Sequence, residues 1–373
     1  MTAGGDAMKL TAFRSQILNV PEDAPLAPAL ENPNATRPIV ALTLGTDSGV
    51  EGIGVSFYGG ALTRTLKSAI DQLCELCIGE DPHRLEAIVK KLRDAAGGSG
   101  PGGMFTLALA AIDTALWDIR GKALEQPIWK LIGGARSRIL TYASGALRRG
   151  LTLDQVVAGA ARLKGLGFRQ MKTQLALPGK TSPAIEVERM VKVREAIGAD
   201  IDLMCDINQR WRPEQAIDIG KRAEDAGVGL FWLEDVTTHD DYAGIARVNA
   251  ALATPICGGE LVYGIVPFRH MIEQRSVDYV MIDLVRAGGV TPWLKIAGMA
   301  EAFNLPVVSH VIPEFHAHLI AGAPNGLTVE YMPWMLKLFG DTPAPVENSE
   351  IVLSDKPGFG LAFDPEALQR FAA

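Results

Sequence analysis

The sequence predicts an α/β protein, built as a closed barrel of parallel strands with a smaller domain in front of it. From Ile139 onward, eight short runs of β-forming residues alternate with amphipathic, helix-like stretches. This alternation requires parallel pairing through right-handed crossovers. Unusual polar residues stand at the C-terminal ends of these runs, which favours a closed barrel over an open sheet. The length of 373 residues allows a barrel and one smaller domain.

The smaller domain is predicted to span residues 1–135. Residues 8 to about 55 contain the strand-like runs IVALTLGT and EGIGVSF and a long Pro- and Asn-rich loop, VPEDAPLAPALENPNATRP. Long ordered loops are often lids or binding loops, and a tolerated surface insertion remains the alternative. From Leu62 to Leu131 the pattern is helical, and FTLALAAIDTALWDIRGKAL is apolar on all sides, which predicts a buried helix.

The barrel is predicted to span residues 136–335, and residues 336–373 are predicted to return to the first domain. The stretches between the strands often begin after Thr, Ser, Asp or Pro, as helices do. The predicted barrel strands are ILTYAS, GFRQMKTQ, IDLMCDI, GLFWLED, TPICGGE, VDYVMIDL, LPVVSHV and GLTVEYM.

The composition is typical of a soluble globular protein, with 48% apolar and 21% charged residues. A net charge of -7 gives no reason to expect nucleic acid or an anionic membrane as partner. The chain begins without a signal-peptide pattern and no apolar run reaches membrane-spanning length, so we expect a cytoplasmic protein. Cys74 and Cys77 form a CxxC inside a helical pattern and are interpreted as core residues, as are Cys205 and Cys257.

Three acidic residues follow three successive predicted strands. Asp206, Glu234 and Glu260 are separated by 28 and 26 residues, about the length of one βα unit. In a parallel barrel such residues converge at the C-terminal rim. Three converging carboxylates repel each other unless a cation binds them, and an all-oxygen site suits Mg²⁺. The sequence therefore predicts a magnesium site.

All eight predicted strands end with an ionisable or hydroxyl residue. One such residue has an ordinary structural explanation, such as a hydrogen-bonded histidine or a solvated carboxylate. Eight together do not, because barrel cores prefer branched apolar residues and clustered buried charges cost free energy. In chain order the strand ends carry Ser144, Lys172 with Gln174, Asp206 with Asn208, Glu234, Glu260, Asp283, His310 and Glu330.

Several motifs run through nearly the whole chain: AAIDTALWDIRGKALEQPIWKLIGG, GFRQMKT, DINQRW, FWLED, GGE, IDLVRAGGVTPW, VVSHVIPEFHAHL and TVEYMPW. In order and spacing they resemble the enolase superfamily, and within it the mandelate racemase subgroup. The resemblance implies a modified TIM barrel, (β/α)7β, with an α+β N-terminal capping domain. It also implies Mg²⁺-assisted abstraction of the proton α to a carboxylate, and a homo-oligomer.

The resemblance implies roles for the residues at the rim. Asp206, Glu234 and Glu260 are the expected magnesium ligands. Asp283 and His310 are the expected dyad, in which the carboxylate orients the imidazole and makes His310 the general base.

The remaining rim residues are expected to contact the substrate. The resemblance places Lys172, the first lysine of a KxK motif, against the substrate carboxylate. Glu330 is expected to be protonated and to donate a hydrogen bond to that carboxylate, and Ser144 to add a polar contact. Asn208, two residues after Asp206, is expected to project to the same side of an extended strand.

One departure from the family pattern bears on the reaction. The second KxK lysine, often the base on the opposite face of the substrate, is Gln174 here, and glutamine does not exchange protons at useful rates. Racemisation needs a base on both faces, whereas dehydration of a sugar acid to a 2-keto-3-deoxy acid needs only the dyad. Dehydration is therefore the favoured function. Alternatives are a racemase or epimerase of a 2-hydroxy acid or amino-acid derivative, and a catalytically silent sugar-acid binding protein.

Weaker signals concern specificity. Specificity is predicted to lie in the loop between Asn19 and Pro38 and near Tyr58. From its loop position, Tyr58 is predicted to close over the substrate. Arg210 is predicted to line the pocket. Arg148 and Arg149 are candidates for contacting a distal carboxylate, with a solvated surface position as the alternative.

Overall fold

The protein structure is a computed structural model that describes residues 8–21, 26, 35–179, 182–340 and 346–373. The predicted specificity loop between Asn19 and Pro38 lies mostly outside these residues. Within the described part of the chain, no helix is both long and apolar enough to cross a membrane.

The N-terminal part is a three-stranded antiparallel sheet packed against helices. β1 is not among the predicted strands, because most of its residues are exposed or half-buried and its apolar pattern is weak. The strands are β1 (Leu10–Pro21), β2 (Thr36–Thr46) and β3 (Glu51–Ser56). The helices are α1 (Thr63–Cys77), α2 (Leu85–Ala96), α3 (Gly103–Ala123) and α4 (Ile128–Leu131).

The helix α3 is the buried helix predicted from its uniformly apolar sequence, and it packs directly on β3. Two glycines allow this close contact. A Cβ atom at Gly52 would lie 2.1 Å from the carbonyl oxygen of Ala115, and one at Gly54 would lie 2.0 Å from that of Ala111. The backbones of strand and helix are therefore in contact without an intervening layer of side chains.

Eight parallel strands form the barrel, which closes by pairing of the last strand with the first. All eight predicted strands are confirmed. They are β4 (Arg138–Leu147), β5 (Gln170–Gln174), β6 (Asp202–Asp206), β7 (Trp232–Glu234), β8 (Ile256–Gly258), β9 (Tyr279–Ile282), β10 (Val307–Ser309) and β11 (Gly326–Tyr331).

Helices connect successive barrel strands, which confirms the predicted alternation. Thr152 begins the first of them with a capping box to Gln155, and Ser182 caps the second, which has Pro183 in its first turn. These helices are α5 (Leu153–Gly165), α6 (Pro183–Ile197), α7 (Pro213–Asp225), α8 (Tyr242–Ala251), α9 (Ile265–Glu273), α10 (Leu284–Ala287), α11 (Val290–Ala302) and α12 (Pro313–Gly322).

The strand register places three of the predicted site residues side by side. Gln174 pairs with Asp206 across β5 and β6, and Asp206 pairs with Glu234 across β6 and β7. Because all three close their strands, they form one row at the C-terminal rim. On the opposite side, Asp283 and His310 directly follow the paired residues that end β9 and β10.

The capping helix α3 also fixes the N-terminal part to the barrel. Its buried Asp113 accepts a hydrogen bond from the backbone N–H of Thr291 in α11, at 2.8 Å. The indole of Trp117 donates to the hydroxyl of the same Thr291, at 2.9 Å. The helix thus links β3 on one side to the α10 and α11 segment on the other.

The C-terminal residues run back across the capping sheet. The backbone N–H of Asn19 in β1 donates to Phe371, and that of Ala373 donates to Ile17. The side chain of Gln16 donates to the carbonyl oxygen of Leu368. The elements of this segment are β12 (Val346–Glu347), β13 (Glu350–Val352) and α13 (Pro365–Arg370).

Candidate active site

A cavity of about 400 Å³ opens at the C-terminal rim of the barrel, below the capping part. Nine of the twelve predicted site residues line it, whereas Glu234 and Asp283 are buried behind its wall. The nine are Tyr58, Ser144, Lys172, Gln174, Asp206, Asn208, Glu260, His310 and Glu330.

Arg210 is the exception, since it is exposed and does not line the cavity. The chain turns through Asn208 and Gln209 with φ values of 46° and 63°, and this left-handed turn carries Arg210 away from the rim. The prediction that Arg210 lines the pocket is therefore wrong for this structure.

Asp206, Glu234 and Glu260 are all buried at the rim. Burial raises the pKa of Asp206 to about 6, with repulsion from Glu260 adding to the effect of burial. Burial also raises the pKa of Glu234 well above its usual range, and both other carboxylates contribute. A bound cation would remove this repulsion, and three carboxylates are a donor set that Mg²⁺ accepts.

Glu234 and Glu260 are each in contact with another side chain. Among the described residues, no three acidic, histidine or cysteine side chains stand close enough together to hold one ion. Glu234 is bound by Lys172, and Oε2 of Glu260 lies 3.3 Å from Nε2 of His310. Joint ligation of a metal requires these side chains to shift.

Lys172 is a buried cation between two carboxylates. Its Nζ lies 2.5 Å from Oε1 of Glu234 and 2.9 Å from Oε1 of Glu330. Burial lowers the pKa of Lys172, but Glu234 and Glu330 more than offset this and hold it well above its usual value. The ammonium group is therefore charged while both carboxylates face it.

The predicted protonated state of Glu330 is wrong for this structure. Its carboxylate accepts hydrogen bonds from Ser144 Oγ and from the backbone N–H of Val311, each at 2.6 Å, and contacts Lys172. Burial would raise the pKa of Glu330, but the charge of Lys172 and these donors lower it to about 2. Glu330 is an ionised acceptor here, and it holds Ser144 and Lys172 in place.

The predicted dyad is formed. Nδ1 of His310 lies 2.7 Å from Oδ2 of Asp283, and Oδ1 of Asp283 accepts from the backbone N–H groups of Val285 and Arg286 at 2.9 and 2.7 Å. Burial would raise the pKa of Asp283, but the hydrogen bond and charge of His310 lower it to about 2. Asp283 therefore stays ionised and fixes the ring, with Nε2 of His310 on the side of Glu260.

The imidazole of His310 lies between two carboxylates. Burial lowers its pKa, but Glu260 first and Asp283 second raise it, to about 9. The imidazolium form is thus favoured while Glu260 faces it. A cation that took up the charge of Glu260 would lower the pKa of His310 toward the range in which it accepts a proton.

Asn208 reaches the rim by a different route from the one predicted. It lies in the left-handed turn after β6, not on an extended strand, and both its backbone N–H and its side-chain amide donate to Asp206, at 2.8 and 2.7 Å. The guanidinium of Arg149 contacts the side-chain oxygen of Asn208. Asn208 and Arg149 therefore orient Asp206. Gln174 accepts a weak 3.4 Å hydrogen bond from the backbone N–H of Arg149.

Two residues at the site were not assigned a definite role from the sequence. Asp235 is buried, and burial together with Glu260 and Asp206 raises its pKa well above its usual range. It directly follows Glu234 in FWLED, and that position at a strand end was the available signal. Arg286 lies with its guanidinium 3.7 Å from the ring centre of Tyr58 and donates to the carbonyl oxygen of Glu260.

Sequence comparison places the chain among proteins of known families. The family described as "Mandelate racemase / muconate lactonizing enzyme, N-terminal domain" matches residues 15–133, and "Enolase C-terminal domain-like" matches residues 155–367. The L-talarate/galactarate dehydratase of Salmonella typhimurium is 30% identical over 347 residues, which cover 92% of this chain and 85% of that protein.

Solved structures match over nearly the full length. L-talarate dehydratase from Polaromonas sp. JS666, complexed with Mg and L-glucarate, has a TM-score of 0.89 at 27% identity and covers 98% of both chains. A racemase from Streptomyces coelicolor with bound magnesium has a TM-score of 0.88 at 27% identity, covering 98% of this chain and all of that one. From these matches, the barrel and the motifs, the chain belongs to the mandelate racemase subgroup of the enolase superfamily.

Proposed function

We propose that this protein is a Mg²⁺-dependent hydro-lyase that dehydrates a sugar acid to a 2-keto-3-deoxy acid. One observation supports this most directly. Among the described residues that line the cavity, His310 is the one held by a buried carboxylate as a base, and the rim position where the family often has a second base is Gln174. The dehydratase relatives act on the same class of compound by their names.

The buried carboxylates would hold the metal. Asp206, Glu234 and Glu260 are the proposed ligands, with Asn208 and Arg149 orienting the first of them. Bound Mg²⁺ supplies positive charge to the substrate carboxylate where negative charge develops. Lys172 adds a second positive charge on the same side of the cavity. Glu330, which accepts a hydrogen bond from Ser144, holds Lys172 in position.

The proton transfer is assigned to His310. Its Nε2 removes the proton from C2 of the substrate, and the electron pair of that bond moves into the carboxylate. Asp283 holds Nδ1 and stabilises the imidazolium that forms. The electron pair then returns from the carboxylate to form a C2=C3 bond as the C3–O bond breaks, and the proton on Nε2 passes to the departing hydroxyl, which leaves as water. The resulting enol tautomerises to the 2-keto acid. A single imidazole suffices when both groups leave from the same face.

Racemisation or epimerisation is the second candidate, and the geometry disfavours it. Proton exchange on the opposite face needs a second base, and Lys172 is engaged in buried ion pairs with Glu234 and Glu330. Gln174 carries no titratable group. A silent binding protein would also not need an imidazole oriented by a buried carboxylate.

A panel of acid sugars tests the proposal. Purified protein with Mg²⁺ is incubated with aldonic and aldaric acids, and 2-keto-3-deoxy products are detected as semicarbazones. We expect turnover of at least one acid, dependent on the metal. Recovery of substrate inverted at C2, without keto product, would favour the epimerase instead, and the absence of both reactions across the panel would contradict an enzyme of this class.

A further inference from the structure

Tyr58 belongs to the capping part of the chain, yet it contacts the catalytic dyad of the barrel. It stands two residues after β3, and its hydroxyl lies 2.7 Å from Oδ2 of Asp283 and 3.3 Å from Nδ1 of His310. The prediction from sequence was that Tyr58 contacts the substrate. Its ring does line the cavity, but its hydroxyl points to the dyad.

The hydroxyl proton of Tyr58 is committed to Asp283. A phenol has one proton to donate, and the carboxylate of Asp283 is an acceptor only, because it is ionised. With the two backbone donors and His310, Tyr58 gives Asp283 a fourth hydrogen bond. The carboxylate of Asp283 thus has three hydrogen-bond partners in the barrel and one in the cap.

The ring of Tyr58 is fixed as well. The guanidinium of Arg286, three residues after Asp283, lies 3.7 Å from the ring centre, a favourable cation–π distance. The backbone of Tyr58 has a φ of 71°, a left-handed conformation that is strained for a non-glycine residue. Strain of this kind persists only where surrounding contacts impose it, and here these contacts are with Asp283 and Arg286.

The segment that carries Tyr58 is anchored in the core of the cap. β3, which precedes Tyr58, touches α3 backbone to backbone at Gly52 and Gly54. The same helix packs against α10, whose first turn is capped by Asp283. The packing of β3 on α3, and of α3 on α10, therefore fixes the position of Tyr58 relative to Asp283.

We propose that Tyr58 is a positioning residue, whose hydroxyl fixes the Asp283 carboxylate and thereby the imidazole of His310, so that the base is correctly oriented only while the cap is seated on the barrel. The inference rests on the proposed function in one respect, that His310 is the base. It assigns to the cap a part in the chemistry and not only in covering the substrate.

Tyr58→Phe tests this, since it removes the hydroxyl and keeps the ring over Arg286. A hydrogen bond to a buried charged group predicts a fall in kcat of about 10- to 100-fold. We expect KM to change less than threefold, Mg²⁺ affinity by calorimetry to be unchanged, and the kinetic isotope effect with C2-deuterated substrate to increase. Tyr242→Phe, on the outer helix α8, is the matched control and should retain wild-type kinetics.

Outcomes of the opposite kind would overturn the inference. If Tyr58→Phe raises KM and leaves kcat and the isotope effect unchanged, Tyr58 contacts the substrate only. Thermal unfolding of the variant, compared with Tyr242→Phe, separates a general loss of folded protein from a catalytic effect.

A second measurement needs no turnover. In protein labelled with ¹⁵N-histidine, the Nδ1 proton of His310 is identified by its loss in His310→Asn, and Tyr58→Phe should shift this resonance. An unshifted resonance contradicts the link between Tyr58 and the dyad, whatever the substrate. Failure of the wild-type protein to convert any acid sugar contradicts the proposed function and leaves this test standing.

Discussion

Nζ of Lys172 lies 2.5 Å from Oε1 of Glu234, a carboxylate that we propose as a magnesium ligand. Both side chains are buried, so each compensates a charge that would otherwise be costly to bury. Removing the lysine leaves Glu234 and Glu330 without their nearest positive charge. A metal ion bound to Glu234 would replace part of that charge.

Lys172→Met should therefore destabilise the metal-free protein by about 3–5 kcal/mol, the usual cost of breaking a buried pair from one side. Added Mg²⁺ should recover more stability in the variant than in the wild-type protein. Urea unfolding with and without Mg²⁺ measures both effects. Lys192→Met, which removes an exposed ion pair with Glu195, is the control and should leave stability close to that of the wild type. Equal stability of Lys172→Met and wild type would contradict the buried pairing.

His310→Asn should abolish turnover and leave Mg²⁺ binding intact. Asparagine still reaches Asp283 with a hydrogen bond but accepts no proton from C2. The measurements are the rate of keto-acid formation and the calorimetric affinity for Mg²⁺. His270→Asn, at an exposed position on α9, is the control. Wild-type-like turnover in His310→Asn would remove the proposed base.

Exchange at C2 should be confined to one face of the substrate. In D₂O the wild-type protein should return no substrate inverted at C2, because Gln174 offers no base on the opposite face. NMR of recovered substrate measures this. Gln174→Lys is the informative partner, because it places an amine beside Asp206, its neighbour in the strand register. We expect that dehydration does not need a lysine at this position. Inversion at C2 by the unmodified protein would contradict the one-base arrangement.

Glu314 in α12 should make stability depend on pH. Both its carboxylate oxygens are buried without a hydrogen-bond partner in the described part of the chain, and burial raises its pKa from 4.5 to about 8. Between these two values the folded protein holds a proton that the unfolded chain has released. Glu314 therefore favours the folded state below about pH 4.5, and this contribution is lost as pH rises toward 8, by up to about 1.4 kcal/mol per pH unit.

The stability advantage of Glu314→Gln over wild type should accordingly grow from pH 5 to pH 8. Denaturant unfolding across this range measures it. Glu301→Gln, at an exposed position in α11, should show no such trend. A difference between Glu314→Gln and wild type that stays constant with pH would mean that Glu314 is ionised in the folded protein.

Much of the barrel could be predicted because its strands carry strong local signals. Each of the eight is a short apolar run between amphipathic helices, and a polar residue marks the rim end. β1 was not predicted, because exposed polar residues break up its apolar pattern. Eight of the nine cavity-lining residues were predicted from barrel strand ends, since convergence at the rim follows from the fold, and Tyr58 was predicted from its loop position.

The wrong predictions concern the ionisation and the position of individual side chains, which depend on residues far away in the sequence. Glu330 was expected to be protonated, and Lys172, 158 positions away in the chain, is what ionises it. Arg210 was expected at the cavity, but two left-handed residues before it turn the chain away. The bond between Tyr58 and Asp283 spans 225 positions and depends on how the cap sits on the barrel. No periodicity or motif carries such information.

The contact between Gly54 and Ala111 has a consequence for mutational studies. A methyl group at Gly54 would meet the backbone of α3 and push β3 outward, and Tyr58 would move with it. A screen scored only on product formation would then rank Gly54 with the residues of the reaction centre, although it never approaches the substrate. For this protein, positions whose substitution lowers activity would therefore be found beyond the cavity, along the contact between β3 and α3.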